Sequence, residues 1–223
     1  SSYIRGYTPK NTTFKDEDYF VVPCVLIVEG VLNHILYTAD EMYKSSHLWD
    51  GKPVTINHPE GKAGTPEFLQ SNGVGFLANT EFVEDDRVKL KSELWLSKKN
   101  LEQVAPDVFK RISNGEVIEV STGLFTNDVH VPNSTYKGKY FEMVAVNYNP
   151  DHLAILPTAI GACSIQDGCG IRDNEENDDT MNLYEKFVAF MGAIKTHKDE
   201  KIKEHDNSEK TDELSDNKEE ETK

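Results

Sequence analysis

Residues 88–97 read VKLKSELWLS, and Val88, Leu90, Leu94 and Leu96 alternate there with charged or polar residues. A period of two fits a strand with one apolar and one solvated face. The preceding stretch, VGFLANTEFV, predicts a second strand, and Glu84-Asp85-Asp86 supplies the turn between them. Such a pair must join a sheet, because one apolar face has to be covered.

The remaining segments extend that sheet. YFVVPCVLIVEGVLN, residues 19–33, predicts a buried strand bent or interrupted at Pro23 and Gly30. GKPVTINHPEGKAGTPEF predicts a short strand that ends in a Gly- and Pro-rich loop beginning at His58. GEVIEVSTGLFTND, residues 115–128, reads as a strand whose middle holds Ser121, Thr122 and Gly123, three small residues that contribute little to a core. KYFEMVAVNYNPDHLAILP predicts a further strand, a break at Asn149-Pro150, and a short apolar segment from His152.

Two helices interrupt this order. Thr38 and Glu41 have capping-box spacing, so a short helix starts near residue 39. From Lys98 to Ser113, Leu101, Val104, Val108 and Ile112 share one helical side, with Gly115 as the stop. No βαβ repeat is present. The expected class is therefore α+β, with a largely antiparallel, curved or barrel-like sheet flanked by helices.

Charge divides the 223-residue chain. Residues 173–223 hold 17 of the 39 Asp and Glu but only 8 of the 24 Lys and Arg. The expected organisation is a domain over 1–172 and an acidic appendage over 173–223. Within the appendage, Leu183, Phe187, Phe190, Met191 and Ile194 predict an amphipathic helix at about 181–195, and the polar remainder predicts disorder. A net charge of -15 without a basic patch argues against nucleic-acid binding. The sequence has neither a span of about 20 apolar residues nor a signal-peptide pattern, so no membrane partner is expected. Cys24, Cys163 and Cys169 are a sparse, odd set that points to a reducing compartment. The start at Ser1 predicts a trimmed or processed chain.

Seven histidines are available, and no pair has metal-ligand spacing such as H-E-x-x-H. His58 and His152 each follow a polar residue at the edge of an apolar stretch, where a sheet can hold an imidazole towards a cleft. Ser121 lies in a strand without a G-x-S-x-G elbow. Read alone, these residues fit a serine–histidine site, and they also fit a space-filling serine with two strand-capping histidines.

The succession GKPVTINHPEG, VGFLAN, RVKLKSELWLS, NGEVIEVSTGLF and NPDHLAILP resembles the capsid maturation (prohead) proteases of tailed phages, which are similar to the herpesvirus assemblins. The resemblance covers roughly residues 19–165. It implies an assemblin-like fold and a serine endopeptidase. In it Ser121 is the nucleophile, His58 the general base, and His152 the group that orients the His58 imidazolium. Thr122 and Gly123 would leave room for a substrate chain beside Ser121. Asp151 and Glu142 are rivals of His152 as third member, since a carboxylate carries a full negative charge.

The segment after His152 lacks the arginine that assemblins use at the oxyanion, so backbone amides around Thr158–Cys163 are expected to serve instead. The resemblance further implies scaffolding and major capsid protein precursors as partners, a homodimer, no cofactor or metal, and action in the host cytoplasm inside the assembling procapsid. The acidic appendage would be the start of a scaffolding segment and an internal substrate. Two other readings compete: a non-enzymatic, protease-like scaffold protein that organises coat subunits, and a metal-dependent hydrolase using His58, His152 and Asp151.

Overall fold

The computed structural model describes residues 6–61 and 63–173, so the expected helix at 181–195 and the acidic segment beyond it lie outside the described residues. The alternating segment forms β7 (Val88–Ser97), with Leu90, Leu94 and Leu96 fully buried. It lies between β2 (Glu17–Val28) and β6 (Gly73–Glu84), antiparallel to both. The sheet continues from β6 through β5 (Pro53–Ile56) and β9 (Lys139–Leu156) to β4 (Ile35–Tyr37) and β3 (Gly30–Leu32). β1 (Lys10–Phe14) pairs with β2, and β8 (Glu119–Tyr136) pairs along β9.

The sheet is mixed, because β9 runs parallel to both β4 and β5. Parallel neighbours need cover on both faces, and Leu153, Ala154 and Ile155 of β9 are accordingly all fully buried. The sheet does not close into the expected barrel. Beyond β8 the only links back to β2 among the described residues are the two-residue β10 (Gly170–Ile171) and the isolated bridge Ile118–Ile171.

Four α-helices pack with this sheet among the described residues: α1 (Ala39–Ser45), α2 (Pro66–Asn72), α3 (Lys98–Val104) and α4 (Pro106–Ser113). Met42, Leu101, Val108 and Ile112 carry their apolar sides into the core formed with Val22, Leu77, Leu94 and Ile155. Burial of each such side chain stabilises by about 1.5–3 kcal/mol.

Three local expectations change. β2 runs through Pro23 without a break. The Pro23 carbonyl accepts from Arg172 N–H, so its nitrogen faces the same edge, in the gap between β1 and β10 where no ladder bond is required. The single helix expected over 98–113 is two helices, because Pro106 keeps Ala105 out of the helical region (φ -147°, ψ 74°). Helix α2 lies in the stretch expected to be loop. Thr65 caps it by accepting from Phe68 N–H at 3.3 Å, and Pro66 occupies its first turn.

Cysteine pairing also departs from the reduced set expected. Cys163 and Cys169 form a disulfide, while Cys24 is buried and free. Closing so short a loop contributes about 2 kcal/mol through the unfolded chain. The double variant Cys163→Ser/Cys169→Ser should lose that amount in denaturant unfolding under non-reducing conditions. An unchanged midpoint would show that the cross-link contributes no stability.

Candidate active site

β9 does not break at Asn149-Pro150; it bulges there. Gly123 of β8 pairs with His152 and Leu124 pairs with Pro150, so Asp151 is the extra residue with no partner across the ladder. Regular alternation sends neighbouring side chains to opposite faces, and a bulge relaxes that rule. Asp151 Oδ2 therefore lies 2.7 Å from Nδ1 of its own neighbour, His152. Gly64 N–H donates to the same oxygen at 2.9 Å.

His58 reaches the site from the other side of β9. β5 is parallel to β9, with Thr55 opposite Ala154 and Ile56 opposite Ile155. Asn57 then adopts a left-handed conformation (φ 61°), and its carbonyl accepts from the Thr55 hydroxyl at 2.9 Å. Asn tolerates this conformation better than most residues. The turn ends β5 and lets the His58 ring meet His152, with His58 Nδ1 at 2.7 Å from His152 Nε2 and the rings edge to face.

Donors and acceptors follow from the charge at the inner end. Burial raises the Asp151 pKa most strongly among single causes. The Gly64 amide, the His152 hydrogen bond and the charge of Lys52 act against burial, and the carboxyl is held below the usual carboxylate range. An ionised Asp151 accepts, so His152 carries its proton on Nδ1 and leaves Nε2 as an acceptor. His58 then donates from Nδ1, and its Nε2 lone pair remains free. Burial, and secondarily the repulsion that protonating both imidazoles of the pair would incur, lower the His58 pKa below its ordinary value of 6.5. A free imidazole lone pair at neutral pH is what a general base requires.

Exposure is graded along this series. His152 is only 2% exposed and Asp151 is half-buried, whereas His58 is exposed. A cleft of about 490 Å³ opens beside it, lined by Ile56, Asn57, His58, Phe68 and Asn72 among others.

Ser121 stands opposite Ala154, two residues along β8 from the Gly123–His152 pair. The period of two puts Ser121 and Gly123 on one face of β8. Ser121 is half-buried, and its hydroxyl makes no hydrogen bond among the described residues. The space above Gly123 goes to the His152 ring, not to a substrate chain as expected from the sequence. A Cβ added at Gly123 would overlap that ring.

The structure thus brings His58 and His152 into contact and sets Ser121 on the strand beside them. Asp151 joins behind His152 instead of replacing it. Glu142 is elsewhere: its carboxylate accepts from the Tyr140 hydroxyl at 3.0 Å, and its backbone pairs with His34. His58, His152 and Asp151 bond in series without converging on a point, and no cluster of three or more side chains able to hold a metal occurs among the described residues. No described helix is long and apolar enough to cross a membrane. Sequence reasoning missed the Gly64 amide and the bulge; Pro150, a residue that sheets confine to edges and bulges, was the available signal.

Gly123→Ala tests the packing of this series. The added methyl should displace the His152 ring and abolish the shared imidazole protons that nitrogen-resolved NMR detects in the parent. The His58 resonance should then titrate closer to 6.5. Stability belonging to the lowered His58 pKa is complete above 6.5 and is lost as pH falls through the lowered value, so the variant should also show a smaller acid-side loss. Retention of both imidazole signals would refute the assigned packing.

No family model matches the chain, and no curated protein does. Among solved structures, the bacteriophage T4 capsid assembly protease, gp21, is similar to it. The two share 10% sequence identity with a TM-score of 0.42, over 71% of this chain and 92% of that one.

Proposed function

We propose that this protein is a serine endopeptidase of capsid maturation in a tailed phage, acting inside the assembling procapsid. Its substrates on this reading are scaffold and capsid-protein precursors and its own acidic tail. The order of sequence blocks supports the biological setting. The observation that carries the chemistry is the hydrogen-bonded series Gly64–Asp151–His152–His58, which leaves one His58 nitrogen free, with Ser121 two residues along β8 from the strand position that faces His152.

The proposed reaction follows from that series. Ser121 Oγ attacks the scissile carbonyl carbon while His58 Nε2 takes its proton. The resulting imidazolium keeps its Nδ1–H bond to His152 Nε2, and His152 keeps its Nδ1–H bond to the Asp151 carboxylate. His58 next gives the proton to the leaving amine. Water, deprotonated by the same nitrogen, then hydrolyses the acyl-serine.

Magnitude sets the expected speed. Two 2.7 Å bonds and the intervening ring put the carboxylate roughly 8 Å from His58 Nδ1, where a unit charge contributes about 2 kcal/mol at an effective dielectric of about 20. A carboxylate in direct contact, at about 4 Å, would contribute about twice that. Solvent around the exposed His58 screens the interaction further, so a slow protease is expected, suited to a limited number of cuts per shell.

Intact mass over time tests the reading. The parent chain, alone or with coat and scaffold precursors, should yield defined fragments, and Ser121→Ala should yield none. His58→Ala should slow cleavage by about 10²–10⁴-fold. Asp151→Asn should slow it by about 10–100-fold, as loss of an orienting outer partner does. Cleavage unchanged in Ser121→Ala would contradict the assignment. An intact parent under all these conditions would favour the non-enzymatic scaffold reading.

A further inference from the structure

Two residues before Ser121, the Glu119 carboxylate reaches across the free edge of β8 and accepts two backbone bonds from the segment that follows β9. Oε2 accepts from Gly161 N–H at 3.3 Å, and Oε1 accepts from Ile165 N–H at 3.1 Å. Gly161 is buried so closely against the Val120 carbonyl that a Cβ there would overlap it. That carbonyl belongs to the peptide bond of Ser121. Only glycine permits this approach.

Other contacts fix the flanks of the same segment. Arg111 donates to the Pro157 carbonyl at 2.9 Å, and the Cys163–Cys169 disulfide with the Ser164–Asp167 turn closes the far side. Between these pins, residues 158–160 are exposed, and their N–H groups have no partner among the described residues. Ile160 is 76% exposed. A segment held on both sides, with its middle amides unspent, is a preorganised set of donors.

We infer that Glu119 is a positioning residue, which clamps the 157–165 segment against β8 so that the free amides of residues 158–160 face the oxyanion formed at Ser121. The inference rests on the serine-hydrolase reading above. In it Glu119 touches no substrate atom and acts only through Gly161 and Ile165. The net charge of the carboxylate matters less than its two acceptor oxygens, because one holds the middle of the segment at Gly161 and the other its end at Ile165.

The test is the rate at which a fluorophosphonate modifies Ser121 in the full chain, followed by intact mass and peptide mapping. Phosphonylation adds the phosphorus to Ser121 Oγ, expels fluoride, and passes the serine proton to His58. Its transition state develops negative charge on the phosphoryl oxygen. Glu119→Ala should slow the reaction about 100-fold, the low end of the loss seen on removing one oxyanion donor. The midpoint of its pH profile should remain that of the parent, since the His58–His152–Asp151 series is untouched.

Glu119→Gln keeps one acceptor oxygen, so its rate should lie between the two, which also separates a positioning effect from failure to fold. Parent-like rates in both variants would overturn the inference. So would a slow rate accompanied by a shifted pH midpoint, because Glu119 would then act through the imidazoles. A parent chain that never reacts at Ser121 is a different result, and it would remove the hydrolase reading itself.

Discussion

The β-bulge at Asp151 is the constraint on which the rest of the site depends. In a regular strand Asp151 and His152 would point to opposite faces, and the carboxylate could not reach its neighbour's ring. The extra residue relaxes that geometry. It lets one side chain anchor to the Gly64 amide while the other crosses Gly123 to meet His58. Remove the bulge and the register slips by one, which sends Leu153 and Ile155 to the face now occupied by Ala154 and Leu156 and so mismatches the packing on both covered faces. The geometry of the candidate site and the packing of the core are therefore specified by the same ladder.

The series also resolves a difficulty of two-histidine sites. A neutral second histidine steadies an imidazolium only weakly, because it brings no full charge. Here the charge is supplied one step further back by Asp151, whose carboxyl is held below the usual carboxylate range because the Gly64 amide, the His152 hydrogen bond and Lys52 act against burial. Distance reduces its effect at His58, and partial burial limits the screening. His152, almost wholly buried, transmits orientation more than charge: its ring is fixed at both nitrogens, so His58 meets a single acceptor in a single direction.

Much of this was legible in the sequence, and the failures have physical causes. The alternation around Leu90 and Leu94 and the continuous apolar run of β2 identified core strands correctly, since burial pattern is what periodicity records. Pro106 and Pro150 were both visible. Periodicity alone predicts a continuous helix through the first and a break at the second, but Pro106 splits the helix and Pro150 sits at a bulge. Thr65-Pro66-Glu67 is a good helix start, and it was hidden by the Gly- and Pro-rich stretch before it. Closure into a barrel was not readable, because it depends on which edges meet, and the last link here is a single bridge at Ile118. His58 and His152 were found as strand-edge imidazoles. Their contact follows only from the resemblance, which has His152 orient the His58 imidazolium, because nothing local in either segment encodes the left-handed turn at Asn57 and the bulge at Asp151 acting together.

The most direct test of the account is the pH dependence of Ser121 modification by a fluorophosphonate in the unaltered chain, with the adduct located by peptide mapping. The account predicts one adduct, on Ser121, whose rate rises with pH through a midpoint below 6.5, where the lowered His58 pKa frees its Nε2 lone pair. An adduct on another residue, or a rate that ignores pH between 4 and 8, would contradict it.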